Sequence, residues 1–217
     1  MTRQSAMYSI KPGLKSTLEN VLWSGSRYID EACERLGVTN AQAWSVGDYL
    51  YLYAESEDGA PCGLTGLIQA FQTELSLYAE PIALPGEMRL MYHDIGVVRQ
   101  DKSLIRRRVF ATVLKDGCAE EYYARHKKLI DARGDKVSDG PETNFTIRCA
   151  RDKYIFGYCE LVKSYDHEMT EEERQSTVAW ETRQLEIMDW LTDDVDWITG
   201  QTHEKMKNLY MQKGFEA

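Results

Sequence analysis

The chain repeats itself, and that repeat restricts its folds more than any other feature. Thr39 to Glu55 aligns with Thr143 to Arg148 and then Asp152 to Tyr158 at an offset of 104, and a glutamate follows each match, Glu55 and Glu160. A second pair of anchors, Met88-Arg89-Leu90-Met91-Tyr92 and Met206-Lys207-Asn208-Leu209-Tyr210, aligns at an offset of 118. The second half therefore carries 14 extra residues between its anchors, the difference of those two offsets. A period this long makes each copy a domain-sized unit, and 217 residues suit two small domains.

Both halves give the same order of elements. In half one, a strand over Ala6–Ile10 and a Lys11-Pro12-Gly13 turn lead into a helix with Leu14, Leu18, Leu22, Ile29 and Cys33 on one face. Strands over Ala41–Val46 and Tyr49–Ala54 meet at Gly47-Asp48, and Tyr49, Tyr51 and Tyr53 alternate along one sheet face. After the Asp58-Gly59-Ala60-Pro61 loop, a helix carries Leu64, Leu67, Ile68, Phe71, Leu75 and Tyr78, and Met88–Tyr92 supplies a last strand. Half two repeats this with Val109–Leu114, a helix near Ala119–Ala132, strands Phe145–Cys149 and Lys153–Cys159, a helix opening at a Thr170-Glu171-Glu172-Glu173 capping box, and a strand near Leu209. The order βαββαβ is that of the ferredoxin-like motif. One such sheet has helices on one face only, so the expected fold is α+β, with two ferredoxin-like repeats, 1–98 and 105–217, packed as a pseudo-dimeric α+β barrel.

Composition narrows the function. With 26 Lys and Arg against 35 Asp and Glu, the net charge is −9, and the longest basic run is Arg106-Arg107-Arg108. Neither nucleic acid nor an anionic membrane suits that balance as a partner. The N-terminus lacks the apolar run of a signal peptide and no window approaches about 18 apolar residues, so a cytoplasmic location is expected. Five cysteines (Cys33, Cys62, Cys118, Cys149, Cys159) form no pair with metal-ligand spacing and read as small buried hydrophobes. His93, His167 and His203 pair with no ligand at helical spacing, and no phosphate-cradling or dinucleotide motif is present; neither metal nor cofactor is expected.

Glu120-Glu121-Tyr122-Tyr123-Ala124-Arg125-His126 is the most informative stretch. Tyr122 and His126 are four apart, so a phenol and an imidazole share one helical face. The sister copy is a built-in control: at an offset of 104, Leu18 stands for Tyr122 and Leu22 for His126. Half two has placed polar groups where a core position accepts leucine, and each needs a partner or a wet cavity. The residues alone leave a structural and a catalytic histidine equally open.

With these residues, half two resembles the L-rhamnose mutarotases, small ferredoxin-like proteins that work as dimers. The pattern E-E-Y-x-x-x-H stands as Glu120 to His126; Asn144-Phe145 resembles the Asn-aromatic pair opening the second strand, with Phe in place of Tyr; and Trp190, after Asp189, resembles one of two tryptophans on the second helix. The resemblance implies His126 as the proton donor and Tyr122 as a sugar-binding hydroxyl, with the aromatic faces of Phe145 and Trp190 stacking on the sugar. It implies a monosaccharide as the partner and no cofactor. Half one carries Leu18, Leu22 and Ala41 at the matching positions and reads as a degenerate copy with a filled pocket.

The function expected from this reading is interconversion of the α and β anomers of L-rhamnose or a related hexose by general acid/base catalysis. Two alternatives stay open at this point: a cofactor-free monooxygenase of the dimeric α+β barrel type, an architecture shared with haem-handling proteins, and a non-catalytic carbohydrate-binding protein. Whether the fused chain pairs again as a homodimer is likewise open.

Overall fold

The computed structural model describes residues 1–58, 63–99, 101–138, 140, 142–165, 167–192 and 205–215. Cys62, His203 and most of the 58–61 loop lie outside them. The fold is α+β, with two antiparallel sheets and, among the described residues, six α-helices. The chain divides into two compact units, Met1–Met88 with Lys207–Glu216, and Arg89–Met206.

Unit 1 runs β1 (Thr2–Ile10), α1 (Lys15–Ser24), α2 (Ser26–Leu36), β2 (Val38–Val46), β3 (Tyr49–Ser56), α3 (Gly63–Ala70), α4 (Gln72–Tyr78) and β4 (Ala79–Ala83). Unit 2 runs β5 (Arg89–Asp94), β6 (Ile105–Leu114), α5 (Ala119–Arg133), β7 (Glu142–Ala150), β8 (Tyr154–Val162), α6 (Glu171–Leu185) and β9 (Met188–Thr192). The last strand of the chain, β10 (Lys207–Met211), belongs to the sheet of unit 1.

The sheets are ordered β10-β2-β3-β1-β4 and β5-β7-β8-β6-β9. Among the described residues each therefore has five strands, where the βαββαβ reading allowed four. The strand that closes each βαββαβ path is β4 or β9, beside β1 or β6 respectively. The two anchor segments are fifth strands, and their sheets are exchanged. Met88–Tyr92, expected to end half one, instead pairs with β7, while the strand near Leu209 pairs with β2. Sequence similarity locates a strand but carries no label for its partner, because any edge with matching alternation can accept it. The two exchanges agree residue for residue: Tyr92 faces Ile147 and Tyr210 faces Ala43, each just past a register shift.

A second device is duplicated at the start of β2 and β7. Asn40 and Asn144 have φ of 49° and 52°, and at each the ladder gains one residue, between Thr39 and Gln42 and between Thr143 and Thr146. Asn tolerates the left-handed region better than most residues, which fits it to a bulge. Each Asn side chain donates to a buried glutamate, Asn40 to Glu55 at 3.2 Å and Asn144 to Glu160 at 3.1 Å. Tyr53 and Tyr158 add phenolic donors to the same carboxylates at 2.7 and 3.0 Å. In unit 2 Lys102 also reaches Glu160, at 2.7 and 2.9 Å, and both side chains are buried.

These pairings refine the alignment. The β7–β8 turn is one residue longer than Gly47-Asp48, so from there on the offset is 105: Glu55 matches Glu160 and Tyr53 matches Tyr158. The helices differ more. The two helices expected in half one are each broken, at Gly25 and at Phe71, whereas α5 and α6 are continuous. The capping box at Thr170 forms, with Thr170 and Glu173 bonding each other's backbone N–H.

Lys102→Met removes the cation from a buried carboxylate and should lower unfolding free energy by about 3–5 kcal/mol. Denaturant titration of this variant and of Lys102→Met with Glu160→Gln checks the cause, since the double variant should recover part of the loss. A single variant as stable as the parent would show that the pair contributes nothing. The exchange of β5 and β10 leads to a second expectation. Fragments 1–97 and 98–217, tagged separately and co-expressed, should purify as one complex because each holds a strand of the other's sheet. Fragments that stay apart and fold as monomers would contradict the exchange.

Candidate active site

The helix α5 sets out the site. Its Ala119, Tyr122, Arg125 and His126 are buried, so the face inferred from the four-residue spacing is the one that packs inward. Tyr122 and His126 lie nearly stacked, with ring centroids 4.2 Å apart and planes 31° apart. Arg125 fixes α5 against the end of α6: its Nε donates to Glu121 at 2.8 Å, Nη2 to Glu186 at 3.0 Å, and Nη1 to the Arg183 carbonyl.

Between α5, α6 and the sheet lies a cavity of about 220 Å³ within unit 2. His126, Tyr122, Phe145 and Trp190, the four residues singled out from sequence, all line it. One of them arrives differently from the expectation. Trp190 is on strand β9, opposite Thr112, and not on the second helix. The helix supplies another tryptophan, Trp180, whose ring meets His126 edge-on at 5.4 Å. Tyr92, brought by the exchanged strand β5, meets His126 at 5.6 Å and Phe145 at 5.2 Å. The imidazole thus sits in a cage of three aromatic rings.

The sequence reading missed Tyr92 and the α6 wall of Thr177, Trp180, Glu181 and Gln184. Those four stand at i, i+3, i+4 and i+7, the signature of a single helical face, and the signal was hidden because three of them are polar. The opposite wall depends on Gly157. A Cβ there would come 2.2 Å from the Phe110 ring, so only glycine lets that ring lie against its cross-strand neighbour beside the cavity. In unit 1 the equivalent pair is Ala6 and Leu52, with the bulk on the other strand.

The geometry decides the protonation pattern. His126 Nδ1 is 3.0 Å from the Tyr122 carbonyl oxygen, which can only accept, so Nδ1 carries the proton and Nε2 keeps its lone pair in the neutral ring. Burial lowers the His126 pKa, against the smaller raising effect of that carbonyl, which favours the neutral base. Burial pushes the Tyr122 phenol far up, so it remains a donor, and its hydroxyl has no hydrogen-bond partner among the described residues. The Gln184 amide, 2% exposed, is unbonded at both Oε1 and Nε2 among the described residues. The site therefore combines a base, a phenolic donor and an amide with aromatic walls.

No protein-family profile and no curated protein sequence matches the chain. A crystal structure of a protein from Fusobacterium nucleatum named "putative monooxygenase" is similar to it, at 11% identity over 97% of this chain and 90% of that one, with a TM-score of 0.43. That likeness is too distant to carry an activity across. Among the described residues no helix is long and apolar enough to cross a membrane.

A buried amide without partners costs stability that an apolar side chain would not. Gln184→Leu should therefore raise unfolding free energy by about 1–3 kcal/mol, read by chemical denaturation. A destabilised variant would mean that the amide is satisfied in solution.

Proposed function

We propose that the protein interconverts the α and β anomers of a hexose of the L-rhamnose type, with His126 as its proton carrier. The observation that supports this most directly is the buried imidazole, its Nδ1 3.0 Å from the Tyr122 carbonyl oxygen, inside a small aromatic-walled cavity. At about 220 Å³ the cavity falls below the roughly 300–1,000 Å³ of drug-sized ligand sites, a size suited to a single sugar ring. Aromatic faces suit the C–H side of a pyranose, and the Tyr122 hydroxyl and Gln184 amide suit its hydroxyls.

The chemistry closes on this one residue. His126 Nε2 takes the proton of the anomeric hydroxyl O1; C1=O1 forms as the C1–O5 bond breaks; and the imidazolium returns the proton to O5. The open aldehyde turns about C1–C2 and the reverse sequence closes it on the other face. No oxidation state changes and no atom is gained or lost. O1 and O5 share C1, so a single imidazole reaches both.

Magnetisation-exchange NMR between anomers, across a panel of sugars, tests the reading. His126→Ala should slow exchange by about 10²–10⁴-fold with the fold retained, and Tyr122→Phe and Gln184→Leu should weaken binding more than they slow exchange. Because the neutral form is the base and its pKa is lowered, activity should hold as pH falls past about 6.5 and drop only below it. Full turnover in His126→Ala, or exchange that fails already above pH 6.5, would refute the assignment. Sugar binding without exchange in the parent protein would point instead to a carbohydrate-binding role, and oxygen uptake with a quinol-type substrate to a cofactor-free monooxygenase.

A further inference from the structure

Unit 1 has a cavity in the place that corresponds to the site of unit 2, and it is larger. Leu18 and Leu22 line it where Tyr122 and His126 line the other, and Ala41 and Ala43 stand for Phe145 and Ile147. The expectation that leucines fill this pocket is therefore wrong: they coat a space of about 420 Å³. The two alanines remove bulk from the sheet side. On the helix side both break residues, Gly25 and Phe71, belong to the lining.

We propose that this cavity is a binding site for an uncharged, apolar small molecule. An apolar void costs stability in proportion to its volume and does not hold water well, so packing alone would favour large side chains at Ala41 and Ala43. The volume lies within the range of small-molecule sites. The polar groups that reach it from the sheet already have partners. Gln42 bonds Trp44 at 3.0 Å and Asn40 at 2.7 Å; Tyr53 donates to Glu55 at 2.7 Å; Tyr210 donates to Asp30 at 2.7 Å. Among these groups a ligand finds no unmet donor or acceptor, in contrast to the Tyr122 hydroxyl and Gln184 amide of the other cavity; the helix side adds the phenols of Tyr28, which is exposed, and of half-buried Tyr78. The charged group of the lining is Glu74, exposed on α4, and with a chain charge of −9 it disfavours an anionic ligand such as a fatty-acid carboxylate. Terpene-like or alkyl-aromatic molecules have the required chemistry.

The test is a fluorescence titration of the full chain with N-phenyl-1-naphthylamine, a neutral apolar probe that brightens on leaving water. Saturable binding near one probe per chain is expected, displaced by 1-decanol at least tenfold more effectively than by decanoate. Ala41→Phe with Ala43→Ile, which installs the wall of the other unit, should weaken binding at least tenfold. Leu22→Gln, at a half-buried position, is the second variant should the first not fold, and it too should weaken binding. His126→Ala should leave probe binding unchanged, which separates this site from the one proposed for the sugar. No saturable binding, undiminished parent-level affinity in both Leu22→Gln and the filled variant, preference for decanoate, or loss in His126→Ala would each overturn the proposal.

Discussion

Each sheet depends on one buried glutamate. Glu55 and Glu160 lie in the sheets with almost no exposure, and each collects an asparagine amide and a tyrosine hydroxyl, with Lys102 added for Glu160. The asparagine that serves the carboxylate is also the left-handed residue of the bulge, so hydrogen bonding and backbone path are fixed together. Side chains alternate along a strand, and one added residue moves everything beyond it to the other face. The Asn144 bulge therefore decides that Phe145 and Ile147 look into the cavity, and the Asn40 bulge does the same for Ala41 and Ala43.

On that shared frame the copies have diverged in their walls. The asparagine and tyrosine contacts to the buried carboxylates, the bulges and the fifth-strand registers are the same in both units. The differences concentrate on the helices and on the strand positions facing them. Unit 2 keeps continuous helices, polar groups and a small cavity; unit 1 has broken helices, aliphatic groups and a larger one. Two chemically different pockets can thus follow from one backbone plan without a change in strand order.

Local features were legible in the sequence because their causes are local. The Thr170 capping box, the inward face holding Tyr122 and His126, and the alternating strands each follow from residues within a few positions of one another. What depended on partners at a distance was not. Nothing in Met88–Tyr92 says whose edge it will meet, and Trp190 carries no mark of strand rather than helix when the segment before it ends a helix. Trp180 went unnoticed because its neighbours on the same face are Thr177, Glu181 and Gln184, a polar stripe that reads as solvent-facing until a cavity is known to lie beneath it. The broken helices were missed for the opposite reason: the apolar spacing runs straight through Gly25 and Phe71, and pattern alone does not register a break.

The exchanged strands also impose an order on biosynthesis. Domains commonly fold in the sequence in which they are made. Here the first 88 residues are made first, yet their sheet gains its β10 edge only when Lys207–Met211 leaves the ribosome, after β1 to β9 have been made. At about 5–20 residues per second, that delay is on the order of ten seconds. The sheet of unit 2 already has its β5 strand in hand and, among the described residues, holds no strand made after β9. The half made first is thus the last to be completed, and during synthesis the edge of β2 stays open to any strand that reaches it, with β5 of the same chain the first candidate to arrive.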